Sequence, residues 1–144
     1  MSGERVIQIT RDVFEAFGAA DVPAILRLLD DEILIEFYGP AAIPYAGTYR
    51  GRDEARRFFE TVLASVDIRR FEPVEFLADR DKVVVTGFLS LVAKPTGIGF
   101  ESEFVHVITL RNRKWLRFRD FMNTAVAAAA FEPGDRPLRT IPGS

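Results

Sequence analysis

Cysteine is absent from the 144 residues, and histidine occurs once, as His106. The first absence removes disulfides, thiolate zinc sites and cysteine nucleophiles together, and the second removes any histidine-rich metal centre. Neither sign of charge dominates: 19 Lys and Arg stand against 21 Asp and Glu, a net charge of −2. A dedicated nucleic-acid binder carries a basic face, so no nucleic-acid partner is expected. No apolar run reaches the ~18–20 residues of a membrane span, and the opening residues 1–8 lack the apolar stretch of a signal peptide. The expectation is a cytoplasmic protein with no membrane partner. There is no Gly-rich phosphate loop, no Ser-His-Asp context and no metal-ligand spacing, so neither a metal nor another cofactor is expected.

What the chain has is apolar mass. Hydrophobic residues make up 48% and charged residues 28%, which excludes a disordered chain. The length suits one domain with a sizeable core. Phenylalanine occurs 13 times, enough for large core plugs or for an aromatic-lined cavity, and composition leaves both open.

Residues 4–17 space Val6, Ile9, Val13 and Phe17 as one face of a helix, which Gly18 ends. Asp21 is an N-cap candidate for a short second helix, with Pro23 in its first turn. Residues 32–38 read as a strand, and Gly39, Pro40, Pro44 and Gly47 mark a loop after it. A third helix opens at Gly51, with Ala55, Phe58, Phe59, Val62 and Leu63 on its apolar face. Strands are then expected over 68–77, 83–93, 100–110 and 115–122, with turns at 79–81, 95–99 and 111–113. Helices first and an antiparallel meander afterwards define an α+β class. The domain is expected to span 1–131, with an extended or loose tail over 132–144.

The strand at 83–93 is apolar on both faces. One face packs on helices, and the other needs a cover. The tail or the first helix could supply it, or a homodimer could form through the sheet.

Alternation places His106 with Phe104, Ile108 and Leu110, opposite Glu103, Val105, Val107 and Thr109. It is either a hydrogen-bonded core histidine or a proton carrier in an apolar cavity. In the last strand Leu116, Phe118, Asp120 and Met122 share one face, and Trp115, Arg117, Arg119 and Phe121 the other. A carboxylate among apolar neighbours is costly unless paired or protonated. Asp120 is therefore either salt-bridged to Arg117 or Arg119, or a general acid or base. A short turn joins the two strands, which puts His106 across from about Arg117 to Arg119 and within reach of Asp120. Glu36, grouped with Leu34 and Tyr38, is a third acidic candidate, or simply solvated at a strand end. Tyr38, Tyr45 and Tyr49 surround the Pro/Gly loop and could line a cavity mouth or staple the loop. Residues 50–57, with four arginines, read as a solvated helix face.

Phe37-Tyr38-Gly39-Pro40, then Tyr45-Ala46-Gly47-Thr48-Tyr49-Arg50-Gly51 running into Arg52-Asp53-Glu54-Ala55, resembles the nuclear-transport-factor-like superfamily. Within it, residues 106–110 followed by 114–121 are most similar to the SnoaL-like polyketide cyclases. The resemblance covers about residues 4–130. It implies a curved antiparallel sheet closed by three helices into a cone with an apolar pocket. In those cyclases a last-strand carboxylate acts as acid/base beside a histidine of the preceding strand, roles that fall on Asp120 and His106. The ketosteroid isomerases are similar too: their base falls on Glu36, and their protonated aspartate on His106. Their oxyanion-hole tyrosine has no counterpart, since the first helix reads Asp12-Val13-Phe14, so steroid isomerase activity itself is not implied. Asn123 stands where many relatives carry aspartate.

The residues expected to meet a substrate are Phe14, Phe59, Phe88, Phe104, Phe118 and Met122, with Tyr38 and Tyr45 at the loop. The leading expectation is a cofactor-independent acid/base enzyme of isomerase or cyclase type, acting on an apolar carbonyl compound. The rivals are a binder of a lipophilic ligand and a dimerisation module whose cone is filled by phenylalanine. Cavity volume separates the last from the others: packed phenylalanine leaves no space, and a pocket of ~300 Å³ or more leaves room for a ligand.

Overall fold

The computed structural model describes residues 2–132. The tail expected over 132–144 falls, beyond Glu132, outside the described residues. The elements are α1 (Gly3–Gly18), α2 (Val22–Arg27), β1 (Leu29–Phe37), β2 (Gly47–Arg50), α3 (Gly51–Ser65), β3 (Val66–Asp79), β4 (Lys82–Ala93), β5 (Ile98–Arg111), β6 (Lys114–Met122) and α4 (Thr124–Phe131).

Each helix starts where the sequence offers an acceptor for its free N–H groups. Ser2 accepts from the Arg5 N–H, and Asp21 from the Ala24 N–H at 3.1 Å, with Pro23 in the first turn. At α3 the Glu54 carboxylate accepts from the Arg50 N–H at 2.7 Å, and Gly51 takes φ +82° at the corner. Asn123 accepts from Ala125 and Val126 and starts α4. That fourth helix was not among the three expected. Its sequence, TAVAAAAF, is apolar all round and carries no periodic signal.

The six strands lie in the order β2-β1-β6-β5-β4-β3. The expected meander of β3 to β6 is present and antiparallel throughout. The sheet as a whole is mixed rather than antiparallel, because β1 and β6 pair in parallel. After β1 the chain doubles back through β2 and then α3 to the far edge, so the returning meander reaches β1 running in its direction. The short β2 replaces part of the loop expected after residue 38.

Irregularities curve this sheet and choose which residues face inward. In β3 the pairing slips between Ile68 and Arg70 and again between Pro73 and Glu75. Each extra residue resets the alternation, so Ile68, Phe71 and Phe76 pack against the core at spacings of three and five instead of two. Pro73 is tolerated because β3 is an edge strand. It lies opposite Gly87, where a side chain would collide with the Glu72 carbonyl and the Phe104 ring.

The inner face collects Ile33, Ile35 and Phe37 from β1, Val83 and Val85 from β4, and Ile108 and Leu110 from β5. Each such side chain contributes roughly 1.5–3 kcal/mol on burial. Val6 and Val13 of α1 and Phe58 and Phe59 of α3 close the core from the helical side. The indole of Trp115 donates to the Thr10 hydroxyl at 3.3 Å, which ties β6 to α1. Because α1 packs inside, it does not cover the outer face, where Tyr38, Val105 and Phe121 stay exposed.

Candidate active site

A two-residue turn, Asn112-Arg113, joins β5 to β6, with both residues at positive φ. Pairing runs regularly from Arg111–Lys114 to Leu110–Trp115 and then jumps to Thr109–Arg117. Leu116 is the surplus residue of a bulge. Past it every partner is advanced by one, so His106 lies directly opposite Asp120 rather than opposite Arg117 to Arg119. The same bulge turns Trp115 inward, onto the face of Phe118, Asp120 and Met122, and removes Leu116 from it. The expected grouping of β6 was correct for Phe118, Asp120 and Met122 and inverted for Trp115 and Leu116.

His106 Nε2 stands 3.3 Å from Asp120 Oδ1, the two side chains 5% and 16% exposed. The atoms touch without an aligned hydrogen bond, and Asp120 Oδ1 has no other partner among the described residues. The arginines are elsewhere: Arg117 binds Glu36 at 2.7 Å on the outer face, and Arg119 lies over the Phe121 ring there. The imidazole is held by rings on two sides. Phe104 stacks on it at 4.4 Å, and Phe118 meets it edge-on at 4.8 Å.

These two residues border a cavity of about 80 Å³, lined by α1, α3 and strands β1, β3, β4, β5 and β6. Its wall is almost wholly apolar. Phe17, Ile68 and Met122 on that wall are half-buried. Three polar atoms of lining residues are buried without a partner among the described residues: Tyr45 Oη, His106 Nδ1 and Asp120 Oδ1. Leaving one such group unsatisfied costs about 1–3 kcal/mol, so three around one cavity single it out as the candidate site. Burial pushes the Tyr45 hydroxyl pKa far up, and the nearby negative charge of Asp120 pushes it further. That hydroxyl stays protonated and available as a donor.

Of the residues expected to meet a substrate, Phe14, Tyr45, Phe59, Phe118 and Met122 line this cavity. Phe104 sits behind His106, its ring also stacked on Phe71 at 4.8 Å. Phe88 does not line the cavity. It faces outward on β4 beneath the Arg70 guanidinium, because the inward positions are Val85, Gly87 and Leu89. Tyr38 is 45% exposed and stacks on Phe121 outside. Glu36 is likewise outward, because Ile33, Ile35 and Phe37 take the inner face. Its Arg117 partner holds its carboxyl below the ordinary value of 4.5. The grouping with Leu34 and Tyr38 was right, but alternation does not say which group faces in. Phe71 and Trp115 were not foreseen as wall residues. No pattern in the sequence announces the bulges that turn them inward.

Among the described residues no three His, Cys, Asp or Glu side chains converge as a metal site, and no helix is long and apolar enough to cross a membrane.

No curated protein matches this chain significantly. Solved structures do. An NTF2-like protein from Burkholderia xenovorans LB400 is 32% identical, with a TM-score of 0.85 over 92% of this chain and 99% of that one. An NTF2-like protein of unknown function from Burkholderia pseudomallei K96243 is 28% identical, with a TM-score of 0.79 over 92% and 100%. TerC, co-crystallised with polyporic acid, is 22% identical, with a TM-score of 0.77 over 90% and 99%. The SnoaL-like domain model matches residues 10–118, a span that holds the second half of α1, the meander up to Phe118 and His106. With cone, curved sheet and superfamily neighbours in agreement, the chain belongs to the SnoaL-like domain family.

Proposed function

We propose that this protein is a cofactor-independent acid/base enzyme of isomerase or cyclase type, acting on a compact apolar molecule that carries a carbonyl group. The observation that carries this reading is the His106–Asp120 contact at the edge of an apolar cavity, where Asp120 Oδ1 makes no aligned hydrogen bond among the described residues. A carboxylate so placed takes a proton from the carbon beside a carbonyl. The C–H electron pair becomes the enolate double bond, and the carbonyl electrons move to oxygen. Asp120, now the acid, returns the proton to another carbon in an isomerisation. In a cyclisation the enolate carbon instead attacks a second carbonyl of the same molecule, and the proton goes to the new alkoxide. His106 orients the carboxylate, and the ring stack around it keeps that orientation.

The cavity bounds the substrate. Its 80 Å³ exceeds the ~10–15 Å³ that one water needs and falls short of the ~300–1,000 Å³ of drug-sized pockets. A fully filled cone is thereby disfavoured, and a single ring or short chain at Asp120, with any larger part protruding, is favoured. The scaffold neighbour TerC was co-crystallised with an organic acid, which agrees with a small-molecule cone. The test is hydrogen–deuterium exchange beside the carbonyl of small cyclic ketones, followed by NMR. Exchange accelerated by the protein and lost in Asp120→Asn supports the reading. A protein that binds such ketones and leaves their exchange rate unchanged is the lipophilic-ligand binder instead.

A further inference from the structure

We propose that the Tyr45 hydroxyl donates the hydrogen bond that holds the substrate's carbonyl oxygen, from the loop between β1 and β2, while Asp120 works on the neighbouring carbon. This rests on the acid/base reading above and adds to it the group that receives the charge. The resemblance to the ketosteroid isomerases places such a donor on the first helix, where the matching stretch of this chain reads Asp12-Val13-Phe14.

The placement of Tyr45 is built rather than incidental. Phe37 is the register partner of Asp120 across the β1–β6 pair, and the Tyr45 ring packs edge-on against Phe37 at 5.0 Å. Phe131 of α4 closes on the other side at 6.0 Å. Below the ring, the loop is folded by two turns, Ile43 N–H to the Pro40 carbonyl and Ala46 N–H to the Ile43 carbonyl, each 3.1 Å. The Tyr49 hydroxyl donates to the Tyr45 carbonyl at 3.0 Å and fixes the backbone beneath it. The residue is 3% exposed, yet its hydroxyl meets no partner among the described residues. A rigidly seated donor with nothing to donate to is organised for an acceptor that arrives with the ligand. Burial and the charge of Asp120 oppose its ionisation, so the proton stays on the phenol until an enolate oxygen shares it.

The roles also fit as a pair. When Asp120 takes the proton its negative charge moves to the substrate oxygen, and the hydroxyl is then the uncharged donor that meets it. Hydrogen bonds to a charged acceptor are worth about twice those to a neutral one, so this contact strengthens as the enolate forms.

The experiment uses 4-nitrophenol, a single ring whose ionised oxygen stands in for the enolate and whose ionisation is read by absorbance. It is titrated into the wild-type protein, Asp120→Asn and Tyr45→Phe. Asp120→Asn should bind the phenolate more tightly, because it mimics the protonated acid and removes a like charge. Tyr45→Phe, which keeps the ring and its packing, should weaken phenolate binding by about tenfold or more. Equal binding by Tyr45→Phe and wild type overturns the proposal. If Asp120→Asn still binds more tightly in that case, the acid/base reading survives without it. No response to either substitution, or no binding to any of the three, overturns both. The melting temperature of Tyr45→Phe should match or exceed that of the wild type, since an unsatisfied hydroxyl is removed. A marked fall would mean that the protein itself satisfies the hydroxyl, and would also overturn the proposal.

Discussion

Asp120 and Glu36 are both carboxylates on neighbouring strands, and their surroundings give them opposite duties. Glu36 accepts from Arg117 at 2.7 Å on the outer face. Asp120 faces a wall of rings, and its Oδ1 makes no aligned hydrogen bond among the described residues. Removing the charge of Asp120 therefore breaks no arginine pair, where a broken buried ion pair would cost about 3–5 kcal/mol. Asp120→Asn should keep the wild-type melting temperature or raise it, while ending ketone exchange; a large drop in melting temperature would mark Asp120 as structural. Glu36→Gln should leave exchange untouched and lower stability near neutral pH, the difference from wild type closing in acid. Arg117 holds the Glu36 carboxyl below its ordinary 4.5, and Arg111 with the Glu32 N–H holds that of Asp30 below 3.8. Lowered folded values mean that both contributions are complete above those ordinary values and vanish as pH falls through the folded ones. Melting temperatures taken from about pH 5 down to about pH 2 should fall less steeply in Glu36→Gln than in the wild type.

At the scale of elements, the backbone corners decide where the side chains go. Gly87 admits no side chain, and the Phe104 ring that fills its space is the ring stacked on His106. Gly87→Ala should cost at least about 1–3 kcal/mol in chemical unfolding and disturb the imidazole, which NMR of the lone histidine would report. Arg113 occupies φ +66° in the β5–β6 turn, a conformation that favours glycine. Arg113→Gly should stabilise the hairpin by up to about 1 kcal/mol without touching the cavity.

Much of this was legible in the residues. The unbroken alternation of β5 put His106 on the inner face, and the Asp21–Pro23 start announced α2. What the residues concealed has a common cause. The bulges in β3 and β6 are set by how neighbouring strands curve together, and no local propensity signals them. The polyalanine α4 lacks a polar face, and β2 is four residues inside a Pro/Gly stretch. Family resemblance supplied the cone, but it could not say that Glu36 faces out.

For the molecule as a whole, the outer face of the sheet is the unfinished surface. Val105 is the register partner of Phe121, and Tyr38 stacks on the Phe121 ring at 5.3 Å, which makes one apolar patch across β5, β6 and the end of β1. A second copy of this chain is the proposed occupant, because a two-fold axis lets one patch cover its own equal. Sedimentation equilibrium should give a dimer, and Phe121→Lys should dissociate it. A wild-type species of 16.2 kDa at high micromolar concentration would refute the idea.

Leu116 has a meaning beyond local geometry, and it is arithmetical. Counted back from the turn without an extra residue, this hairpin would set a guanidinium, Arg119, against His106 in place of a carboxylate. One surplus residue is thus the difference between a carboxylate and a guanidinium facing His106. The count also says where the chain tolerates a change of length. A deletion of Leu116 restores regular pairing and leaves Asp120 where it is, so such a variant should still catalyse exchange. A deletion at Arg119, with the surplus kept, carries the carboxylate to the outside of the sheet. Insertions and deletions a few codons apart would be silent in one case and lethal to function in the other.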